Sequence, residues 1–292
     1  MKQINTLFFV LIFVLAAMIS SCKKYEEEVV KDNTAPPDET ISGIAIENYI
    51  NKSYISLLGR EPDSSELASG ISNLKAHNMS SADRDAFLNQ VLGKADYVSH
   101  LFNIANNDLL NNLDTNEITQ EIYIFTFLMT DSAYLPFWGT LQFEINRLLM
   151  MQQIATKLQS GTASVIDLHH TFIDNYFYDQ INMGSLNYVV SMYQNFLRRY
   201  PTDNELNSGI AMVDGNYSIV FSQTGHSKVD FTNIFFSSND YYEGQVRDLF
   251  LRYLFREPTS IESSTLTVQY KSSGNYKQLQ KAILATNEFI GI

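Results

Sequence analysis

Tyr54-Ile55-Ser56-Leu57-Leu58-Gly59-Arg60-Glu61-Pro62-Asp63-Ser64-Ser65-Glu66 returns twice further along the chain. The second version reads Tyr193-Gln194-Asn195-Phe196-Leu197-Arg198-Arg199-Tyr200-Pro201-Thr202-Asp203-Asn204-Glu205. The third reads Phe250-Leu251-Arg252-Tyr253-Leu254-Phe255-Arg256-Glu257-Pro258-Thr259-Ser260-Ile261-Glu262. Aligned on Pro62, Pro201 and Pro258, each has an aromatic eight residues before the proline and two apolar residues at five and four before. Each also has arginine two before (Arg60, Arg199, Arg256), Asp or Thr directly after, and glutamate four after (Glu66, Glu205, Glu262). The agreement needs no gaps, so the stretch is an internal repeat.

Its physical reading is a helix–turn–helix. Before the proline, apolar residues recur at three- and four-residue spacing, the pattern of a helix with one buried face. Proline disfavours helical geometry in its predecessor, so the first helix is expected to end at about the arginine. Asp63, Thr202 and Thr259 then cap a second helix, with the glutamates three residues on at capping-box spacing. This puts the arginines in the last turn of the first helix, against its free carbonyls. A repeated Arg/Glu set is also the form of a recurrent ligand or catalytic site. A turn device made three times fits a structural link better, and the nine Arg, Pro and Glu residues are read that way.

Each version closes alike. Val91-Leu92-Gly93-Lys94-Ala95-Asp96-Tyr97 matches Phe235-Phe236-Ser237-Ser238-Asn239-Asp240-Tyr241 and Ile283-Leu284-Ala285-Thr286-Asn287-Glu288-Phe289. Two apolar residues, a polar spacer, an acid and an aromatic describe a helix that pins its own end. The expected fold is all-α, with three helical hairpins packed on each other and on an inserted helical segment, since one hairpin cannot bury its apolar face alone. The segments are 41–102, 186–242 and 243–292 for the three copies and 103–185 for the insertion.

The Leu-Gly-Arg-x-Pro-Asp-x-x-Glu pattern resembles the uncharacterised helical repeat of bacterial S-layer and other secreted surface proteins. It is also similar to the helical Arg-x-Pro-Thr-x-x-Glu-Leu module of planctomycete surface proteins, which often accompanies cytochrome domains. The resemblance covers about half the chain and implies a surface protein; neither family supplies a catalytic residue. The Cys-x-x-Cys-His haem-attachment pattern is absent from the sequence, and no cofactor is expected.

Residues 1–21 read as a targeting segment. Lys2 gives a basic start, and Leu7 to Met18 is an apolar run too short to span a membrane. It ends in Ile19-Ser20-Ser21-Cys22, which resembles the lipobox of bacterial lipoproteins and implies acylation at Cys22, the only cysteine. With that thiol used, the remainder has no disulfide and no cysteine-based metal or nucleophile site. Lys23-Lys24-Tyr25-Glu26-Glu27-Glu28 resembles the acidic export signal of surface-displayed Bacteroidota lipoproteins. An outer-membrane protein facing the exterior is therefore expected, with a periplasmic orientation as the alternative. Residues 22–40 form the lipidated cysteine and a tether containing Pro36-Pro37.

The formal charge of −12 becomes about −13 once the leader, with its one lysine and no acid, is removed. That argues against nucleic acid and against electrostatic adsorption to anionic lipid. The 17 tyrosines and 19 phenylalanines, set at helical spacing, are expected mainly in the core. Asn103 to Asn116 reads as a loop. Its Asn112, Asp114 and Asn116 fail the calcium-loop pattern, because Glu117 stands where glycine is needed and Tyr123 where an acid is needed. In the insertion, Ile118 to Met129 reads as a buried helix and 165–178 as an amphipathic one with Leu168, Phe172 and Tyr176 on one face. His170 stands four residues before Asp174 beside His169, a spacing suited to two metal ligands, but no third ligand is evident. No nucleophile elbow, phosphate loop or dinucleotide fingerprint occurs. The sequence therefore predicts a lipid-anchored envelope protein that binds envelope proteins or polysaccharide, or serves a structural role. An envelope hydrolase or polysaccharide-handling accessory protein is the alternative.

Overall fold

The computed structural model describes residues 41–292. The expected leader, Cys22 and the tether lie outside the described residues. Ile41–Ile292 form one compact unit. It is all-α apart from a small hairpin. In order, the elements are α1 (Gly43–Leu58), α2 (Ser64–Lys75), α3 (Ser81–Leu92), α4 (Asp96–Leu110), α5 (Thr115–Leu128), a 3₁₀ segment (Ser132–Phe137) and α6 (Trp138–Gln159). Then follow α7 (Val165–Ile173), α8 (Tyr176–Ile181), α9 (Ser185–Leu197), α10 (Asp203–Val213), β1 (Ser218–Val220) and β2 (Gln223–Gly225). The last are α11 (Lys228–Ser237), α12 (Asn239–Leu254), α13 (Ser260–Ser273), α14 (Tyr276–Leu284) and α15 (Asn287–Ile290).

The three proline turns link α1 to α2, α9 to α10 and α12 to α13. In each, the first helix stops two residues before the arginine, not at it. The residue three before the proline takes a left-handed conformation: Gly59 (φ 70°), Arg198 (φ 54°) and Phe255 (φ 55°). That conformation ends a helix, and only glycine adopts it without strain. The second helices start as the sequence predicts. Asp63, Thr202 and Thr259 are N-caps, each completing a capping box with its glutamate.

The closing motif also differs from expectation. Its acid and aromatic do not end a helix; they lie in the first turn of the next one, α4, α12 or α15. Helix α12 consequently closes the second stretch with Asp240-Tyr241 and opens the third with Phe250. The expected loop from Asn103 is mostly helix, because α4 runs on to Leu110. Leu101, Ala105 and Leu109 continue one buried face, while Asn106 Nδ2 donates to the Leu113 carbonyl and fixes the short turn that follows. The helix expected over 165–178 is broken at Asp174-Asn175, where buried Asn175 caps α8.

Packing closes a circuit. α4 lies on α6 and α7, α8 meets α9 through an edge-on Tyr178–Tyr188 pair, and α9 packs along α12. α14 and α15 then return to the first stretch. Arg84 on α3 donates to the Ala285 carbonyl at 2.8 Å, Lys277 donates to the Leu92 carbonyl at 2.9 Å, and Phe289 meets Tyr49 edge-on. A continuous aromatic core fills the circuit, including fully buried Tyr49, Tyr193, Tyr241, Phe172, Phe231 and Phe235. The insertion departs from this. Helix α5 buries only Ile118 and Phe125, and leaves Tyr123, Ile124 and Phe127 exposed, against the expectation of a buried helix.

Candidate functional site

Each proline turn is built around its arginine. Arg60 meets Glu66 through two parallel bonds of 2.7 and 3.0 Å; Arg199 meets Glu205 at 2.8 and 2.7 Å; Arg256 meets Glu262 at 2.9 and 2.8 Å. This is the bidentate fork that a planar guanidinium makes with a carboxylate. The same Nη1 donates to the carbonyl of the next residue, Glu61, Tyr200 or Glu257. One glutamate oxygen also accepts the cap residue's amide, from Asp63, Thr202 or Thr259, at 2.7–2.8 Å. The arginine thus ties the turn to the next helix through its glutamate, and the expected bonds to the carbonyls of the previous helix are not made.

Two further partners complete the arrangement. The acid of the closing motif binds the same guanidinium: Asp96 at 2.8 Å, Asp240 at 3.4 Å and Glu288 at 2.6 Å. The aromatic eight residues before the proline lies under it, with Tyr54, Tyr193 and Phe250 ring centres 5.5, 5.1 and 5.1 Å from the guanidinium carbon. Lys94 adds a 2.8 Å contact to Glu66 in the first stretch alone. Guanidinium bonding pushes the Glu205 and Glu262 carboxyls down to about 2, and that of Glu66 further still. These glutamates are held as anions and are poor proton donors.

A polar hub lies where α4, α7, α9, α12 and α14 meet. Asp248 accepts from Arg198 Nε at 2.7 Å and from Arg252 Nε at 2.6 Å, and Asp108 bridges Arg252 and, at 3.5 Å, Arg198. Beside this quartet, His169 Nδ1 pairs with the Tyr241 hydroxyl at 2.8 Å, and its ring lies 5.0 Å from that of Phe196. Desolvation lowers the His169 pKa to about 4, so the imidazole is neutral at pH 7. Buried Gln280 accepts from Tyr97 at 2.6 Å and donates to Tyr253 at 2.7 Å, joining the first and third stretches. The cavity here is about 50 Å³, room for a few waters. Two cations and two anions satisfy one another, and the hub offers no unpaired charge to a ligand.

The metal-spaced residues diverge. His169 faces Tyr241, His170 packs on the Phe236 ring at 4.3 Å, and Asp174 pairs with Arg147 at 2.7 Å. Among the described residues, no group of three His, Cys, Asp or Glu is placed to hold a metal ion. Asp114 caps α5 through the Asn116 amide, and Asn112 bonds Asn107, so these residues serve turn chemistry. The sequence reading missed the hub. Its signals were Asp248 and Arg252 at helical i, i+4 spacing and an aspartate, Asp108, placed in an expected loop. At the turns, a further signal is the closing acid, Asp96, Asp240 or Glu288, which stands at the same place in all three stretches.

No protein-family profile, no curated protein and no solved structure significantly matches this chain.

Proposed function

We propose that this chain is a lipid-anchored protein of a bacterial outer membrane, displayed at the cell surface, whose unit Ile41–Ile292 is a non-catalytic binding or structural module. The three proline turns are read as copies of one repeated unit, which accords with the resemblance to surface-protein repeats. The anchor rests on the apolar run that ends in Ile19-Ser20-Ser21-Cys22. One observation carries the non-catalytic reading: the carboxylates at the three turns and in the hub are each engaged by a guanidinium. A hydrolase needs a carboxylate free to exchange a proton with its substrate.

Substituting Cys22→Ala tests the anchor. The variant is expected to leave the membrane fraction, while the wild type stays with it. Unchanged membrane fractionation of the variant would overturn the reading. A pull-down from intact cells with the lipidated protein would then identify the envelope partner.

A further inference from the structure

The α5–α6 hairpin ends in a surface that stands apart among the described residues. From Ile122 to Phe143 the only charged residue is Asp131, in a protein that is 18% charged, and seven residues are aromatic. The surface carries Tyr123 (69% exposed), Phe127 (61%), Leu135 (58%) and Phe137 (59%), with Ile124, Tyr134 and Phe143 also exposed. Three of its polar side chains bond within the hairpin. The hydroxyls of Thr126 and Thr130 donate to the carbonyls of Ile122 and Phe127, and the Asp131 carboxylate accepts the Ala133 amide. At the turn, the amides of Met129, Thr130, Asp131 and Tyr134 donate to the carbonyls of Phe125, Phe127, Leu128 and Asp131.

We infer that this hairpin end inserts into the interfacial layer of a lipid bilayer. Three observations favour lipid over a protein or a sugar. Paired backbone groups lower the cost of entering a bilayer interface, and the turn amides of Met129, Thr130, Asp131, Ala133 and Tyr134 are paired. Tyrosine, here the exposed Tyr123 and Tyr134, suits the headgroup boundary. Protein interfaces carry a rim of hydrogen-bonding groups, and a sugar site needs polar groups beside its rings; here the one carboxylate and two threonine hydroxyls already bond within the hairpin. No helix among the described residues is long and apolar enough to cross a membrane, so the hairpin dips and does not span. The bilayer itself comes from the lipoprotein reading, on which this inference rests. Only 18 residues separate Cys22 from Ile41, so the folded unit would stay within about 65 Å of the membrane even with the tether fully extended.

The test uses the full chain, lipidated, on phosphatidylcholine vesicles with and without brominated acyl chains, and reads Trp138, the only tryptophan. Blue-shifted Trp138 emission, quenched by the brominated lipid, is expected. In Phe127→Asp/Phe137→Asp, helical content should hold and the lipid should keep the chain attached, while Trp138 loses its quenching. Without the lipid, in Cys22→Ala, the same pair of substitutions should weaken vesicle partitioning about ten- to a hundredfold. A Leu135→Trp reporter in a Trp138→Phe background gives a second reading from a more exposed position. An attached, lipidated chain whose reporters both stay unquenched overturns the inference and leaves the anchor intact. Shielding of the reporters that depends on protein concentration, without vesicles, also overturns it and assigns the surface to a second copy. Quenching in a chain that proves unlipidated would sink the anchor and sustain the insertion.

Discussion

The α1–α2 turn and the α5–α6 turn both join antiparallel helices, yet they are finished in opposite ways. The first gathers an aromatic, a guanidinium, two carboxylates and a lysine around one proline. The second has one aspartate, used as a cap, and then presents apolar side chains to the outside. A turn that must stay fixed within a packed circuit is held by charge-assisted bonds over an aromatic face. A turn left free of the circuit keeps its polar groups to itself and offers its rings to another phase.

The strongest way to break this contrast is at the hub, where the circuit is held. Asp248→Ala leaves Arg198 and Arg252 with Asp108 alone, and is expected to cost about 2–4 kcal/mol in urea unfolding. A loss below about 1 kcal/mol would show that the quartet is a solvated surface cluster. Next in size are the turns. Arg60→Ala, Arg199→Ala and Arg256→Ala should each cost about 1–3 kcal/mol, whereas Phe127→Asp in the free hairpin should change stability by no more than about 0.5 kcal/mol.

Acid sharpens the same comparison. Glu205 and Glu262 titrate near 2 in the fold and near 4.5 unfolded, so their contribution is complete above about pH 5 and fades as pH falls toward 2. His169, near 4 in the fold and 6.5 unfolded, makes stability decline earlier, between about pH 6.5 and 4. The triple Arg→Ala variant should flatten only the lower limb of the pH–stability curve; a change confined to the upper limb would refute the assignment.

The smallest effect separates the turns from one another. Phe255 sits in the left-handed conformation that Gly59 adopts freely, and its side chain is 87% exposed. Phe255→Gly should raise stability by about 0.5–1 kcal/mol. Gly59→Ala should lower it, because a Cβ there would meet His100 Nδ1 at 2.4 Å. A destabilised Phe255→Gly protein would mean that the aromatic makes a contact the fold depends on.

The second helix of each pair was legible from Pro-x-x-x-Glu spacing alone, because a capping box is a local device set by four residues. The helix before it was misjudged by two residues, since a left-handed arginine or phenylalanine leaves no composition signal where glycine would. Gly70 and Gly209, each eight residues after its proline, extend the pattern further. A Cβ at either would meet Ile50 or Val189 at 2.9 Å, so both glycines let their two helices pack closely. The hub was hidden for a different reason: Asp108, Arg198 and Asp248 are far apart in sequence and meet only through the packing of α4, α9 and α12. Helix α5 looked buried because its apolar residues are dense; density says that a surface avoids water, not what covers it.

The return of α14 and α15 to α1 and α3 has a consequence for growth. A stack of helical repeats normally has open ends, so it lengthens by duplication and needs polar terminal units. Here Lys52 donates to the Phe289 carbonyl, and Arg84 binds Asn287 and the Ala285 carbonyl across the seam, so the last unit occupies the face a newcomer would need. The seam contacts therefore occupy the faces of α1 and α3 that an open stack would leave free. Length is more readily gained on the outside of the circuit, where the α5–α6 hairpin lies, than at this seam.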